Sequence, residues 1–256
     1  MSKLQATFGE SEAVIIVKAV PHASQQNGET VCCAGIDIHG NWLRLYPVSF
    51  RMLESAQKFK RWDRVKFKWR KPTDDQRQES RRIDQQSLVI VGDLKKSERA
   101  KYLSKSIVTS LNREYEAGRS FALLKAEISE FIIEKKNLNE LQEEILEFKK
   151  IQSQSDLFIK NVVPYNPCPY KFKYRYKTDD GPREGTCQDW ELDATYFKWS
   201  REYGEKNTLD KMGDKFGVEY PREGMLLAMG THSRWADKWL INGVVRMPDI
   251  PQLALF

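Results

Sequence analysis

Arg64-Val65-Lys66-Phe67-Lys68-Trp69-Arg70 alternates without exception between a cation and an apolar residue. Successive side chains of a β-strand point to opposite faces. The stretch therefore reads as a strand with Arg64, Lys66, Lys68 and Arg70 on one side and Val65, Phe67 and Trp69 on the other. The chemistry recurs in Lys171-Phe172-Lys173-Tyr174-Arg175-Tyr176-Lys177, where four cations stand opposite Phe172, Tyr174 and Tyr176. Each apolar face calls for a core. Each cationic face carries four like charges whose repulsion needs an offset. A phosphate backbone supplies one, because cations spaced along a strand can follow it. Solvation beside acidic neighbours supplies another, and half-buried strands commonly look this way.

Strands surround the first of these stretches. Ala13–Val20 is apolar and β-branched, and a polar turn closed by Asn27-Gly28 follows it. Thr30–Asp37 and Trp42–Val48 are separated by the tight-turn sequence His39-Gly40-Asn41, and Phe50–Gln57 predicts a short helix. After Arg70 come a loop dense in both charges, Lys71–Asp84, and an apolar strand, Leu88–Val91. This β-β-β-helix-β-β order over residues 13–92 is compatible with a barrel of the OB type.

The middle of the chain reads as helical. Ser97–Ala117 carries Tyr102, Leu103, Ile107, Leu111 and Tyr115 at helical spacing and ends at Gly118. Phe121–Ile133 has β-type runs at both ends, and Asn137 caps a helix with Leu138, Leu141, Ile145 and Phe148 near one stripe. Beyond Gln152 the pattern predicts a short strand at Leu157–Ile159 and a stiff turn at Pro164–Pro169. A loop at Thr178–Gly185 precedes helices running to Tyr203 and from Thr208 to Phe216, then a hairpin of Met225–Met229 with Trp239–Arg246. The expected class is α+β and β-rich, with one or two OB-like small barrels and a helical middle segment. The expected division is residues 1–134 as an OB-like domain with helix, 135–152 as a connecting helix and 153–256 as a second β-rich domain.

Composition narrows the function classes. With 40% hydrophobic residues among 256, the chain can bury a real core, and its net charge of +6 is moderate. The N-terminal residues lack the pattern of a signal peptide, no stretch is long and apolar enough to span a bilayer, and the expected location is the cytoplasm. Cys32 and Cys33 are adjacent, so they would face opposite sides of a strand. With Cys168, Cys187 and three histidines they form no compact metal-ligand spacing. No metal site or cofactor is predicted. The chain contains no P-loop, GxGxxG, GxSxG or HExxH sequence.

The basic strands make nucleic acid the leading partner. Arg64, Lys66, Lys68, Arg70, Lys171, Lys173, Arg175 and Lys177 would neutralise phosphates, and Trp62 and Trp235, which sit on no clean core stripe, would stack on bases. The rival is a nucleic-acid-processing enzyme, a nuclease or base-processing enzyme, centred on Asp189, Glu191 and His232. Asp189 and Glu191 are two residues apart at a strand end and would hold Mg²⁺ or exchange protons, with His232 as a general base. The favoured reading of Asp189 itself is the N-cap of a helix starting at Trp190 or Glu191, with Glu191 in its first turn. A protein partner docking on the Asn137–Lys149 helix is a third reading.

Val31-Cys32-Cys33-Ala34-Gly35 followed by Asn41-Trp42-Leu43-Arg44-Leu45-Tyr46-Pro47-Val48 forms a "CxAG … W(I/L)R" pair of strands. It resembles the start of bacterial dual OB-containing domain proteins over roughly residues 13–92. The resemblance implies an OB-type barrel, association with nucleic acid and a role in phage defence or a mobile element. It implies no catalytic residues.

Overall fold

The computed structural model describes residues 7–24, 27–155, 165–232, 235 and 237–247. The first sheet contains β1 (Phe8–Lys18), β2 (His22–Ser24), β3 (Gly28–Ile36), β4 (Trp42–Val48), β5 (Asp63–Arg70), β6 (Ser80–Ile83) and β7 (Val89–Asp93). Its order is β1-β3-β4-β6-β5, and β5 pairs back onto β1 from Phe8↔Arg70 to Val14↔Arg64, which closes a five-stranded barrel. Every contact in the ring is antiparallel except β4 beside β6, the arrangement of an OB-like barrel. Alternation fills it: Ile15, Cys33, Leu45, Val65 and Phe67 point inward, and Phe59 and Leu88 complete the core. Gly35 permits the closest approach of β1 to β3, because a Cβ there would stand 2.6 Å from the Val14 carbonyl oxygen. The helix expected over residues 50–57 is two 3₁₀ turns, Phe50–Met52 and Ser55–Gln57. Neither has a side-chain cap, and Leu53 between them is extended and seated in the core.

The rest of the chain builds a second sheet. Its elements are α1 (Lys96–Leu103), β8 (Ile107–Val108), α2 (Leu111–Glu116), β9 (Phe121–Lys125), β10 (Glu127–Lys135), α3 (Leu138–Ser155), β11 (Tyr170–Thr178) and β12 (Gly181–Cys187). They continue with α4 (Trp190–Tyr203), α5 (Glu205–Met212), a π-helical segment Gly213–Glu219, α6 (Tyr220–Glu223), β13 (Met225–Thr231) and β14 (Trp239–Arg246). The strand order is β10-β11-β12-β14-β13-β9-β8. Only Ala126 separates β9 from β10, yet four strands stand between them in this order, so the sheet curls to bring the two together. Phe172, Tyr174 and Tyr176 of β11 fill the curl together with Leu192, Tyr196, Met212 and Phe216 from the helices.

The single helix expected over Ser97–Ala117 is divided into α1, β8 and α2. Ile107 and Val108 are β-branched and pair in parallel with Leu123 and Leu124, and the Ser110 side chain caps α2. The predicted Thr178–Gly185 loop is mostly strand, since β11 turns directly into β12. Strands β8, β9 and β10, inside the span expected for the first domain, belong to the second sheet. Asn137 Oδ1 accepts from the Glu140 amide at the start of α3, whose Phe148 is buried while Leu138 is exposed. The expected strand at Leu157–Ile159 lies outside the described residues. Among the described residues no helix is long and apolar enough to cross a membrane.

The two sheets meet face to face. Val14, Ile16, Ala34, Ile36 and Trp42 from the barrel share one apolar cluster with Phe121, Leu123, Leu226, Ala228 and Val245. Polar groups pin its margins. Glu79 receives both the amide and the hydroxyl of Ser120 at 2.9 and 2.7 Å, and Arg77 donates to the Thr231 carbonyl at 2.7 Å. The charged loop at residues 71–84 thus clamps the second sheet. Largely buried among them is Arg61, which donates to Asp189 Oδ2 at 2.7 Å and to the Val244 carbonyl, and lies 3.3 Å from Glu191. Burial works against the Arg61 charge, but Asp189 and Glu191 outweigh it and raise its pKa. Asp189→Ala leaves this guanidinium buried without its main counter-ion, so we expect a loss of about 3–5 kcal/mol in unfolding free energy. A urea titration checks this, and a loss below about 1 kcal/mol would mean the pair does not hold the seam.

Candidate nucleic-acid interface

Register decides how the cationic strands are neutralised. Antiparallel pairing sets β1 along β5, and Glu12 meets Arg64 while Glu10 meets Lys66 at 2.8 Å. On the second sheet Lys171 pairs with Glu140, Lys173 with Glu134, and Arg175 with both Glu130 and Glu184. Five of the eight cations are therefore in ion pairs. Lys68, Arg70 and Lys177 have no ion pair among the described residues. The two strands lie in different sheets and share no neutralising partner.

Lys68 and Arg70 are not isolated. Residues paired across strands project to the same face, and the register links Tyr46 to Arg82, Arg82 to Arg70, and Arg70 to Phe8. One row thus crosses β4, β6, β5 and β1 on the outside of the barrel: aromatic, arginine, arginine, aromatic. At the usual strand spacing it spans about 14 Å. Phe8 is 77% exposed at one end, and Tyr46, partly exposed at the other, lies beside Thr30 with their hydroxyls 3.5 Å apart. Arg82 makes one long contact with Asn27 Oδ1, 3.4 Å, and carries no ion pair among the described residues. Lys68 adjoins Arg70 on the same face. Glu10 stands opposite Lys68 but gives its carboxylate to Lys66. A groove of about 370 Å³ runs between Lys68, Arg70 and Arg82, with Trp69, Ile83 and Asp84 in its walls. Trp69 is occupied elsewhere: its indole donates to Ser11 at 2.8 Å and Arg81 covers its ring at 4.2 Å.

The row was only partly visible in the sequence. Lys68 and Arg70 stand out by alternation, whereas Tyr46, Arg82 and Phe8 join them through pairings of distant segments. Phe8 shares its strand face with Glu10 and Glu12, a placement that the pairing of β1 with β5 reveals.

The two tryptophans expected to stack on bases lie apart from this row. Trp62 has a positive φ of 76°, packs at the margin of the inter-sheet cluster and has Arg99 over its ring at 4.3 Å. Trp235 is 59% exposed and stacks on His232 with ring centroids 4.6 Å apart.

The acid pair and the histidine do not converge. Asp189 Oδ1 accepts from the Glu191 amide at 3.0 Å and caps α4, while Oδ2 accepts from Arg61 and from the Val244 amide at 2.8 Å. Both oxygens are committed, so the pair does not fit a magnesium site. Burial raises the Glu191 pKa against the opposing pull of Arg61. His232 follows Thr231, which pairs with Trp239 at the far end of β14. Trp239 and Val244 are five residues apart along the strand, about 16 Å, so one small reacting group cannot reach both ends.

A different carboxyl carries the strongest acid shift. Asp193 on α4 is 7% exposed, and its hydrogen bond is from the Tyr165 hydroxyl at 3.0 Å. Burial pushes its pKa up to about 7, with Tyr165 and Lys136 pulling the other way and Asp189 and Glu144 adding to the rise. The folded pKa exceeds the unfolded value near 3.9. The folded state therefore holds this proton more tightly, and stability falls as pH rises from about 4 to about 7, then levels off. Between pH 5 and pH 8 this group should remove roughly 2–3 kcal/mol. Asp193→Asn should abolish that part of the decline in denaturant midpoints measured across the range, and an unchanged decline would exclude Asp193 as its source.

Comparison with known families divides the chain near the junction of the two sheets. Residues 10–108 match the model described as Domain of unknown function (DUF8758), and residues 101–256 match Domain of unknown function (DUF8757). No curated protein matches the chain.

Proposed function

For a chain that belongs to the family Domain of unknown function (DUF8757) and carries an OB-like barrel ahead of that region, we propose nucleic-acid binding through the Tyr46–Arg82–Arg70–Phe8 row. The observation that carries this reading is the adjacency of Arg70 and Arg82, neither of which is in an ion pair among the described residues, while Asp84 in the groove wall accepts from the Gln86 amide. Two arginines paired across strands whose backbones lie about 5 Å apart carry like charges on one face, and a phosphate accepting from both offsets their repulsion. Aromatic rings on either side offer faces on which bases stack without regard to their identity. Lys68 extends the positive strip by one more contact.

The frame supports the same reading. OB-type barrels present ligands to the face of their second and third strands and to the loop joining the fourth and fifth. Here those strands are β3 and β4, and that loop leaves β5 at Arg70 and returns at Ser80. The second sheet covers the Ala34, Ile36 and Trp42 end of the face. At the Tyr46 end, next to the loop's roots, Tyr46 keeps part of its surface exposed. The resemblance of the β3–β4 segment to bacterial dual OB-containing domain proteins agrees with this assignment and brings a phage-defence setting into the proposal.

Arg70→Gln and Arg82→Gln should each weaken binding to labelled single-stranded DNA or RNA and lower the salt slope by about 0.7. Phe8→Ala or Tyr46→Ala should cost about 1–3 kcal/mol per lost stack. Lys171→Gln with Lys173→Gln, cations already paired with glutamates, should leave binding unchanged. Fluorescence anisotropy at about 50 and 200 mM salt reads all of these. Equal losses from the β11 pair and from the barrel arginines would move the interface off this row, and no binding to any probe would end the proposal.

A further inference from the structure

Arg44 on β4 is 5% exposed and has no carboxylate in contact among the described residues. Its Nη2 donates to the Ser120 carbonyl at 3.2 Å, its Nη1 lies 3.9 Å from Cys32 Sγ, and the guanidinium sits 4.9 Å from the Phe121 ring centre. Nε is buried without any acceptor. The nearby acids are already committed. Asp75 holds Arg77 at 2.6 Å and the Ser80 hydroxyl at 2.6 Å, and Glu79 is taken by Ser120. Arg77 adds a second positive charge. An arginine does not shed its proton in a protein, so a buried guanidinium without an anion is a standing deficit. Burial pulls its pKa down, and Cys32 is the foremost influence opposing that pull.

Cys32 is the one ionisable acid touching this guanidinium among the described residues. It is also the partly exposed member of the four free cysteines, the other three being buried. Burial pushes the Cys33, Cys168 and Cys187 thiols upward, which leaves them inert. On β3, Cys32 lies within an irregularity of the pairing, between Val31↔Val48 and Cys33↔Leu45, beside the Tyr46–Pro47 segment. Reactive cysteines occupy sites of this kind, next to a cation and reachable from solvent.

We propose that Cys32 is a nucleophilic thiol whose anion pairs with Arg44, and that the reagent it meets is a hydroperoxide. The sulfur anion attacks one peroxide oxygen. An S–O bond forms, the O–O bond breaks, and the departing hydroxide or alkoxide takes a proton from water. Sulfur is oxidised by two electrons to a sulfenic acid and the peroxide is reduced by two. Cys33 does not resolve the product as a disulfide, because its sulfur points into the barrel core on the opposite face of the strand. The oxidised sulfur stays beside Arg44.

The test compares one residue in two states of the same protein. Iodoacetamide labelling at pH 7, followed by peptide mass mapping, should alkylate Cys32 at least about 5-fold faster in the native protein than in the guanidinium-denatured chain. Cys33, Cys168 and Cys187 should be slower when native. Arg44→Gln should bring the native Cys32 rate down to the denatured value, and Arg44→Lys should retain part of the advantage. A native rate at or below the denatured rate overturns the pairing, and this comparison stands even where an Arg44 variant fails to fold. Hydrogen peroxide followed by dimedone should place the adduct on Cys32. Fast alkylation without a dimedone adduct overturns the peroxide reaction.

Discussion

Arg61 is buried between two sheets, and that position is tenable only because Asp189 is buried with it. The carboxylate does three jobs at once: it neutralises the guanidinium, caps α4 and accepts the Val244 amide of β14. Arg61 in turn donates to the Val244 carbonyl, so barrel, helix and second sheet share one polar knot. Apolar contact alone would let the sheets slide, because dispersion and the hydrophobic effect are non-directional. A buried ion pair with defined donors and acceptors fixes the register, and breaking it strands a charge. Around it, Glu79 on Ser120 and Arg77 on Thr231 repeat the same device at lower stakes.

That fixed docking decides which surface remains for a ligand. A barrel of this topology has one favoured face, and the second sheet covers part of it with Phe121, Leu123 and Leu226. Outside that contact lies the end where β4, β6, β5 and β1 run side by side. The uncompensated arginines and the exposed phenyl ring are found there, and not along the two cationic strands as wholes. Three of the four β11 cations, Lys171, Lys173 and Arg175, are matched by acids of its neighbours, so most of that face is satisfied within the molecule. On β5 the matching stops after Lys66, because Glu10 serves Lys66 and the next residue facing outward on β1 is Phe8.

Much of the barrel was legible in the sequence because strand alternation is a local property. Val65, Phe67, Phe172, Tyr174 and Tyr176 lie in the cores that period two predicts. The helix over Ser97–Ala117 failed because Leu103, Ile107 and Leu111 fit a helical stripe equally well as parts of three elements. The choice was made by Leu123 and Leu124, distant in sequence, which recruit Ile107 and Val108 into a strand. The acid partners failed to show for a related reason. Glu10 and Glu12 have the spacing of an opposing strand, but only closure of the ring tells which strand they oppose. The Asp189 cap was legible because a cap is local. The convergence of Asp189 with Arg61 was not, since they are 128 positions apart in the chain.

The contrast between Arg61 and Arg44 carries the comparison one step further. Both are buried at the seam, both reach across it to a backbone carbonyl, and both must remain charged. Arg61 has Asp189 and Glu191. Arg44 has a carbonyl, an aromatic ring and a sulfur atom. If Arg44 served only to hold the sheets together, a carboxylate at position 32 would do so better, as Asp189 does for Arg61. A thiol in that place adds little to cohesion while it is protonated. It becomes a counter-ion only by ionising, and a cysteine that ionises beside solvent is a nucleophile. The seam therefore holds one cation neutralised by carboxylates and one whose charge is left to act on a reactive group.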